Sequence, residues 1–252
     1  MKPDIRFFKL VGAGNDFVLV DNRERRFRTP KAIARFAVAV CDRRRGAGAD
    51  GLLVLERSRR ADARMRYFNA DGSEGEMCGN GARCFAYFLA RQKSARSLTV
   101  DIETKAGIIR AGVKGRRIRI RLTPPRDLAR DIRLRIRGRA IRAHFIDTGV
   151  PHAVVFVPRV DRLDVDGLGR SIRRHRRFAP AGTNVNFVEA AGPNEIRVRT
   201  YERGVEAETL ACGTGSTASA LILGLEGPDG RRTVRVHTRG GDILKVHVTR
   251  RE

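Results

Sequence analysis

Residues 7–20 (FFKLVGAGNDFVLV) alternate apolar and polar positions and are broken by GAGND, which predicts a strand interrupted by a turn. Pro30–Cys41 (PKAIARFAVAVC) changes to helical spacing, with Thr29 at the N-cap position and Pro30 at the first helical one. Strands follow at 52–56 and 65–68, then the polar turn NADGSEGE. Beyond Cys78, apolar residues from 82 to 92 cover most faces of one helix, the pattern of a helix buried on all sides. A second such helix, 216–225, is still more uniformly small and apolar. Short alternating strands are read at 98–102, 108–113, 117–122, 195–201, 233–238 and 243–248. Two buried helices among many short strands predict an α+β fold in which curled, mostly antiparallel sheets each wrap a central helix.

The pattern occurs twice. Residues 7–20 align with 144–157 at a shift of 137, and 49–56 with 182–189 at 133. RYFN at 66–69 aligns with RTYE at 199–202, also at 133. Cys-Gly-Asn-Gly at 78–81 aligns with Cys-Gly-Thr-Gly at 212–215 at 134, and 98–107 with 232–241 at the same shift. Five blocks in one order imply two homologous, pseudo-symmetric domains, 1–122 and 123–252, with Pro124, Pro125 and the charged stretch after them as the boundary. If two such domains face each other, Cys78 and Cys212 flank one cleft, and the active site is expected there.

Composition narrows the class. With 41% apolar and 32% charged residues the chain can bury a core, and no stretch is apolar for long enough to cross a bilayer. The first residues lack the features of a signal peptide, so a cytoplasmic location is expected and the four cysteines read as free thiols. The net charge of +24 would suit a polyanion, but the arginines are spread through nearly every segment and no basic run is interleaved with stacking rings. A solvated basic surface explains the charge better than a nucleic-acid partner. GAGADG at 46–51 fits G-x-G-x-x-G formally, yet it leads into a strand and not out of one, so it is rejected as a dinucleotide site.

The chemistry is carried by Cys78 and Cys212. A cysteine at a helix start meets unpaired N–H groups and a partial positive charge, both of which favour the thiolate. The same N–H groups suit a carboxylate, and the glycines allow close approach to the backbone. Two facing thiols are what inversion at carbon requires: one removes a proton from one face and the other returns one to the opposite face. Cys41 and Cys84 read as small core residues. No Cys-x-x-Cys spacing or histidine cluster supports a metal site.

At these residues the chain resembles the diaminopimelate epimerases nearly end to end, through KLVGAGNDF, GAGADGLL, YFNADGSEGEMCGNGARC, TGVPHAVV, GTNVNFVE and YERGVEAETLACGTGS. The resemblance implies a cofactor-independent isomerase that interconverts LL- and meso-diaminopimelate for lysine and peptidoglycan synthesis. It makes Cys78 and Cys212 the acid/base pair. Asn15, Asn69, Asn184, Glu202 and Arg203 would hold this zwitterionic amino acid. The backbone at Gly79, Asn80, Gly213 and Thr214 would grip the reacting carboxylate, and His152 and Glu202 would tune the thiols. A homodimer is also implied.

Three departures stand out. Some members have Gln where this chain has Gly51 and Asn where it has Val150, and the loop 204–209 is one residue longer than in some relatives. The two substitutions remove polar contacts near the expected substrate. A racemase of histidine, proline or hydroxyproline is the alternative within the same chemistry. A pyridoxal-phosphate racemase is set aside, because none of the few lysines lies in a phosphate-cradling context.

Overall fold

The structure is a computed structural model that describes residues 4–224 and 231–249. The chain divides into two compact units, Met1–Thr123 and Pro124–Glu252.

The first unit contains β1 (Phe8–Gly12), β2 (Asn15–Asp21), α1 (Pro30–Cys41), β3 (Gly51–Glu56), β4 (Ala63–Asn69) and β5 (Glu74–Gly75). It continues with α2 (Gly79–Gln92), β6 (Ser97–Thr104), β7 (Gly107–Lys114) and β8 (Arg117–Arg121). Its sheet runs β1-β2-β3-β4-β6-β7-β8, with β5 paired to β4. Among the described residues, only β2–β3 and β4–β6 pair in parallel. The strand β2 explains the layering: Phe17 and Leu19 pack towards α2, while Val18 and Val20 pack towards α1. Because β2 and β3 are covered on both faces, they read as the continuous apolar runs FVLV and LLVL. Helix α2 packs against β1, β2, β4, β6, β7 and β8, and its Gly81 lies against Leu53 of β3, so the sheet curls around it. Each fully buried Leu or Phe in this layer contributes roughly 1.5–3 kcal/mol.

The second unit contains β9 (Arg126–Ile136), β10 (Arg139–Asp147), β11 (Pro151–Phe156), α3 (Val165–Arg173), β12 (Asn184–Gly192) and β13 (Glu195–Glu202). After them come β14 (Ala207–Thr209), α4 (Gly213–Gly224), β15 (Arg231–Thr238) and β16 (Ile243–Thr249). The order β9-β10-β11-β12-β13-β15-β16, with β14 on β13, repeats six strands of the first unit (β1, β2, β3, β4, β6 and β7) and its parallel pairs. The seventh strand differs: β8 lies beside β7, whereas β9 lies at the opposite edge beside β10. Registers are kept too: Leu53 pairs with Tyr67, and Asn186 with Thr200. The architecture is the α+β fold with two repeated sheets, each around a buried helix. The last residue of the expected helix 216–225, Leu225, lies outside the described residues.

Two elements differ most from the sequence reading, beside the short β5, which lies within NADGSEGE, and β14, which that reading lacks. The charged stretch after Pro125 is no mere linker but the eleven-residue strand β9, whose run of arginines hides its alternation; its Leu134 and Ile136 reach the core. Helix α3 also goes unread in the sequence, because Gly167 and Gly169 lower its helical propensity. Gly169 is needed for packing, since a Cβ there would lie 2.5 Å from Tyr201 Cβ.

Candidate active site

Cys78 is the N-cap of α2, and its Sγ accepts the backbone N–H of Gly81 at 3.4 Å. In the second unit Cys212 Sγ accepts the N–H of Gly215, also at 3.4 Å, and lies 3.4 Å from Thr214 Oγ1. An N–H aimed at sulfur at a helix start stabilises negative charge there. Burial pushes the thiols of both Cys41 and Cys84 up to about 11.

The second glycine of each turn has a role other than ligand approach. A Cβ on Gly81 would lie 2.9 Å from Leu53 Cδ2, and one on Gly215 would collide with Asn186 Oδ1. Residues 53 and 186 are repeat equivalents, so both glycines make room for the same strand position of their own unit.

In the first unit, Asn15 Nδ2 donates to Asp50 Oδ2 (3.0 Å), and Asn15 Oδ1 accepts from Asn80 Nδ2 (2.6 Å). Asn80 Oδ1 in turn accepts from Arg83 (2.5 Å), which ties β2 to the first turn of α2. Asp50 is held by Arg43 (2.7 Å), which also binds Asp16 (2.8 Å). Burial raises the Asp16 carboxyl, but hydrogen bonds from Arg43 and Lys9 outweigh it and hold the group well below the usual carboxylate range. Asn69 Oδ1 accepts from the Tyr67 hydroxyl (2.7 Å), and its Nδ2 donates to Ser73 Oγ (2.9 Å). Gly79 and Asn80 are buried at the helix start.

In the second unit, Asn184 Nδ2 donates to Pro151 O (3.0 Å), and its Oδ1 accepts the N–H of Arg203 (2.8 Å). Asn184 thereby has a structural role, clamping the YERG turn to β11. Glu202 Oε1 accepts from Thr209 Oγ1 at 2.5 Å. Gly213 and Thr214 open α4, where the Thr148 hydroxyl donates to Thr214 O (3.2 Å). His152 is fully buried, and burial, with the nearby charge of Arg203, lowers it to about 3. Its Nδ1 lies 3.1 Å from Asn186 Nδ2, whose orientation is set by Ala153 O (3.1 Å) and by the Thr200 hydroxyl on Oδ1 (3.0 Å). The ring is therefore neutral with its proton on Nε2, and that atom has no hydrogen-bond partner within the described protein.

Three contributors were missed from sequence: Asp50, Tyr67 and Asn186. Asn186 carried a signal, as the second asparagine of GTNVNFVE. Asp50 and Tyr67 carried none beyond lying in the motifs, because their roles depend on cross-strand partners.

The fold is shared with a solved structure of a probable proline racemase from Agrobacterium radiobacter K84, at a TM-score of 0.76 and 17% identity over 96% of this chain and 84% of that one. The profile of the diaminopimelate epimerase family matches residues 7–125 and 144–251. The diaminopimelate epimerase of Aquifex aeolicus (strain VF5) is 43% identical over 96% of this chain and 89% of its own length. That of Archaeoglobus fulgidus is 44% identical over 97% and 90%. The chain belongs to the diaminopimelate epimerase family. Among the described residues, no helix is long and apolar enough to cross a membrane.

Proposed function

We propose that this protein interconverts LL- and meso-2,6-diaminopimelate by cofactor-free proton transfer at the α-carbon, with Cys78 and Cys212 as the two acid/base groups. The observation that supports this most is the matched pair: in each unit the cysteine sits at a helix start with its sulfur 3.4 Å from the N–H three residues on. One thiolate takes the α-proton, leaving the electron pair on carbon and its carboxylate. The other thiol delivers its own proton to the opposite face, and the resulting thiolate serves the reverse reaction. Inversion requires both sulfurs to reach one carbon. Helix-start N–H groups at Gly79, Asn80, Gly213 and Thr214 are suited to the carboxylate, whose charge grows as the proton leaves.

Asn15, Asn69, Asn184, Glu202 and Arg203 are assigned to the two amino-acid ends of the substrate. His152, neutral and with a buried N–H, would donate a hydrogen bond without changing charge. Family membership supports a homodimer and a cytoplasmic location as parts of the same reading.

The test is incubation of the reduced protein with LL-diaminopimelate in D2O without added cofactor. Deuterium should enter the α-position as the meso isomer forms. If neither occurs, the substrate assignment falls, and histidine, proline and hydroxyproline become the next substrates to try.

A further inference from the structure

Four residues before each cysteine stands a glutamate, Glu74 before Cys78 and Glu208 before Cys212. Each makes a two-pronged ion pair with an arginine. Arg66 Nε and Nη2 donate to Glu74 Oε1 and Oε2 at 2.7 and 2.9 Å. Arg199 Nε and Nη2 donate to Glu208 Oε1 and Oε2 at 2.6 Å each. Arg66 and Arg199 are repeat equivalents, and so are the two glutamates. The registers match as well: Glu74 lies opposite Phe68, and Glu208 opposite Tyr201, each two residues beyond its arginine on the same strand face. The four side chains are only 11% (Arg66), 25% (Glu74), 11% (Arg199) and 17% (Glu208) exposed.

The turns between the partners differ. The repeat shift changes from 133 to 134 between Glu202 and Glu208, so the second unit has one more residue there. Pair geometry and register are nonetheless the same. What is held constant is therefore the segment entering the cysteine, and not the turn. Strands β5 and β14 have two and three residues, too few for backbone hydrogen bonds alone to fix that segment. A two-pronged pair fixes both distance and orientation.

We propose that Arg66–Glu74 and Arg199–Glu208 are equivalent positioning pairs, one in each unit, that set where the cysteine sulfur stands at its helix start. The proposal rests on the reading of Cys78 and Cys212 as acid/base groups. Arg66 has a further contact, its guanidinium lying 5.0 Å from the Phe68 ring centre. Arg199 also donates to the carbonyls of Val160 (2.9 Å) and Leu163 (3.1 Å). Glu208 has one further, longer contact, to Arg239 Nε at 3.9 Å, so the glutamates remain the cleaner positions to change.

The experiment uses full-length Glu74→Gln and Glu208→Gln. Gln keeps the shape but removes the charge and one acceptor of the pair. Displacing a reacting group by about 1 Å costs on the order of a hundredfold, so kcat should fall roughly ten- to a hundredfold with little change in KM. The distinguishing readout is alkylation of each cysteine by iodoacetamide from about pH 6 to about pH 9, followed by peptide mass. Glu74→Gln should change the profile of Cys78 and leave that of Cys212 as in the wild type; Glu208→Gln should do the reverse. Loss of overall stability would move both profiles together. Glu74→Asp and Glu208→Asp serve the same test should a glutamine variant fail to fold, since the shorter side chain draws the entering segment out of place.

The proposal is overturned if both variants keep kcat within about twofold of wild type, or if both cysteines change together. Failure of the acid/base reading is a separate outcome, seen as activity retained by Cys78→Ala or Cys212→Ala. Because alkylation needs no substrate, it decides the positioning role in that case too.

Discussion

Tyr67 occupies the space that any side chain on Gly51 would need: a Cβ there would lie 2.5 Å from Tyr67 Cε2 and 2.7 Å from the Phe68 carbonyl oxygen. Gly75 lies against the same ring, with a would-be Cβ at 2.6 Å from Tyr67 Cδ1. The ring thus lies against two glycines and presents its hydroxyl to Asn69. Gly51→Ala should lower stability by about 1–3 kcal/mol through overpacking, read from urea unfolding. In a Tyr67→Ala background the penalty should shrink without vanishing, because the Phe68 carbonyl remains.

Tyr67→Phe tests what the hydroxyl does. It removes the bond to Asn69 Oδ1, worth about 1 kcal/mol, and leaves the ring in place. We expect KM for diaminopimelate to rise several-fold, with kcat close to wild type. An unchanged KM would mean that Asn69 does not need this orientation to hold substrate.

The four cysteines should separate by reactivity and by effect. Cys78→Ala and Cys212→Ala should each lower turnover by about 10²–10⁴-fold, the span of a lost general acid or base, while circular dichroism shows the fold intact. In the wild type near neutral pH, iodoacetamide should modify Cys78 and spare Cys41 and Cys84, whose thiols are pushed up to about 11 by burial. Rapid modification of Cys84 in the folded protein would contradict its placement within the first core.

Asn15 and Asp50 form an amide–carboxylate pair at 3.0 Å that a charge would disrupt. Asn15→Asp would set two carboxylates against each other and lose a hydrogen bond. The expected cost is roughly 1–3 kcal/mol, moderated by Arg43 and Lys9 nearby. Adding Asp50→Asn exchanges donor and acceptor and should restore most of that loss. A double-mutant cycle in which the two effects simply add would show that the pair is not coupled.

His152 should make the protein sensitive to acid. Its pKa falls from 6.5 to about 3 on folding, so between those values the unfolded chain binds a proton that the native state does not. Stability then rises with pH across this window: the full contribution is present above about 6.5 and is lost progressively on acidification. Between pH 7.5 and 5 this amounts to about 2 kcal/mol. His152→Gln cannot titrate, and its urea midpoint should vary less over that range. An equal pH dependence in both proteins would place the acid sensitivity elsewhere.

Legibility followed the range of the interactions. Helix α1 matched its reading end to end, because Thr29 and Pro30 signal its start locally; the Thr29 hydroxyl accepts from Ala32 N at 3.2 Å. Strand β9 and helix α3 were obscured, the first by surface arginines and the second by Gly167 and Gly169, of which Gly169 packs against Tyr201 and Gly167 against Asp164.

By itself the sequence determined the repeat, the α+β class and the place of both cysteines at helix starts, since a Cys-Gly-x-Gly turn before an apolar helix is a local pattern that needs no partner to be recognised. Only the tertiary structure decided which groups surround them. That Gly81 yields to Leu53 and Gly215 to Asn186 follows from how each helix seats on its sheet. That Asn184 clamps Arg203, and that Glu74 and Glu208 find Arg66 and Arg199, are consequences of cross-strand register. Register is set by the packing of a whole sheet around its helix, and no short stretch of chain contains it.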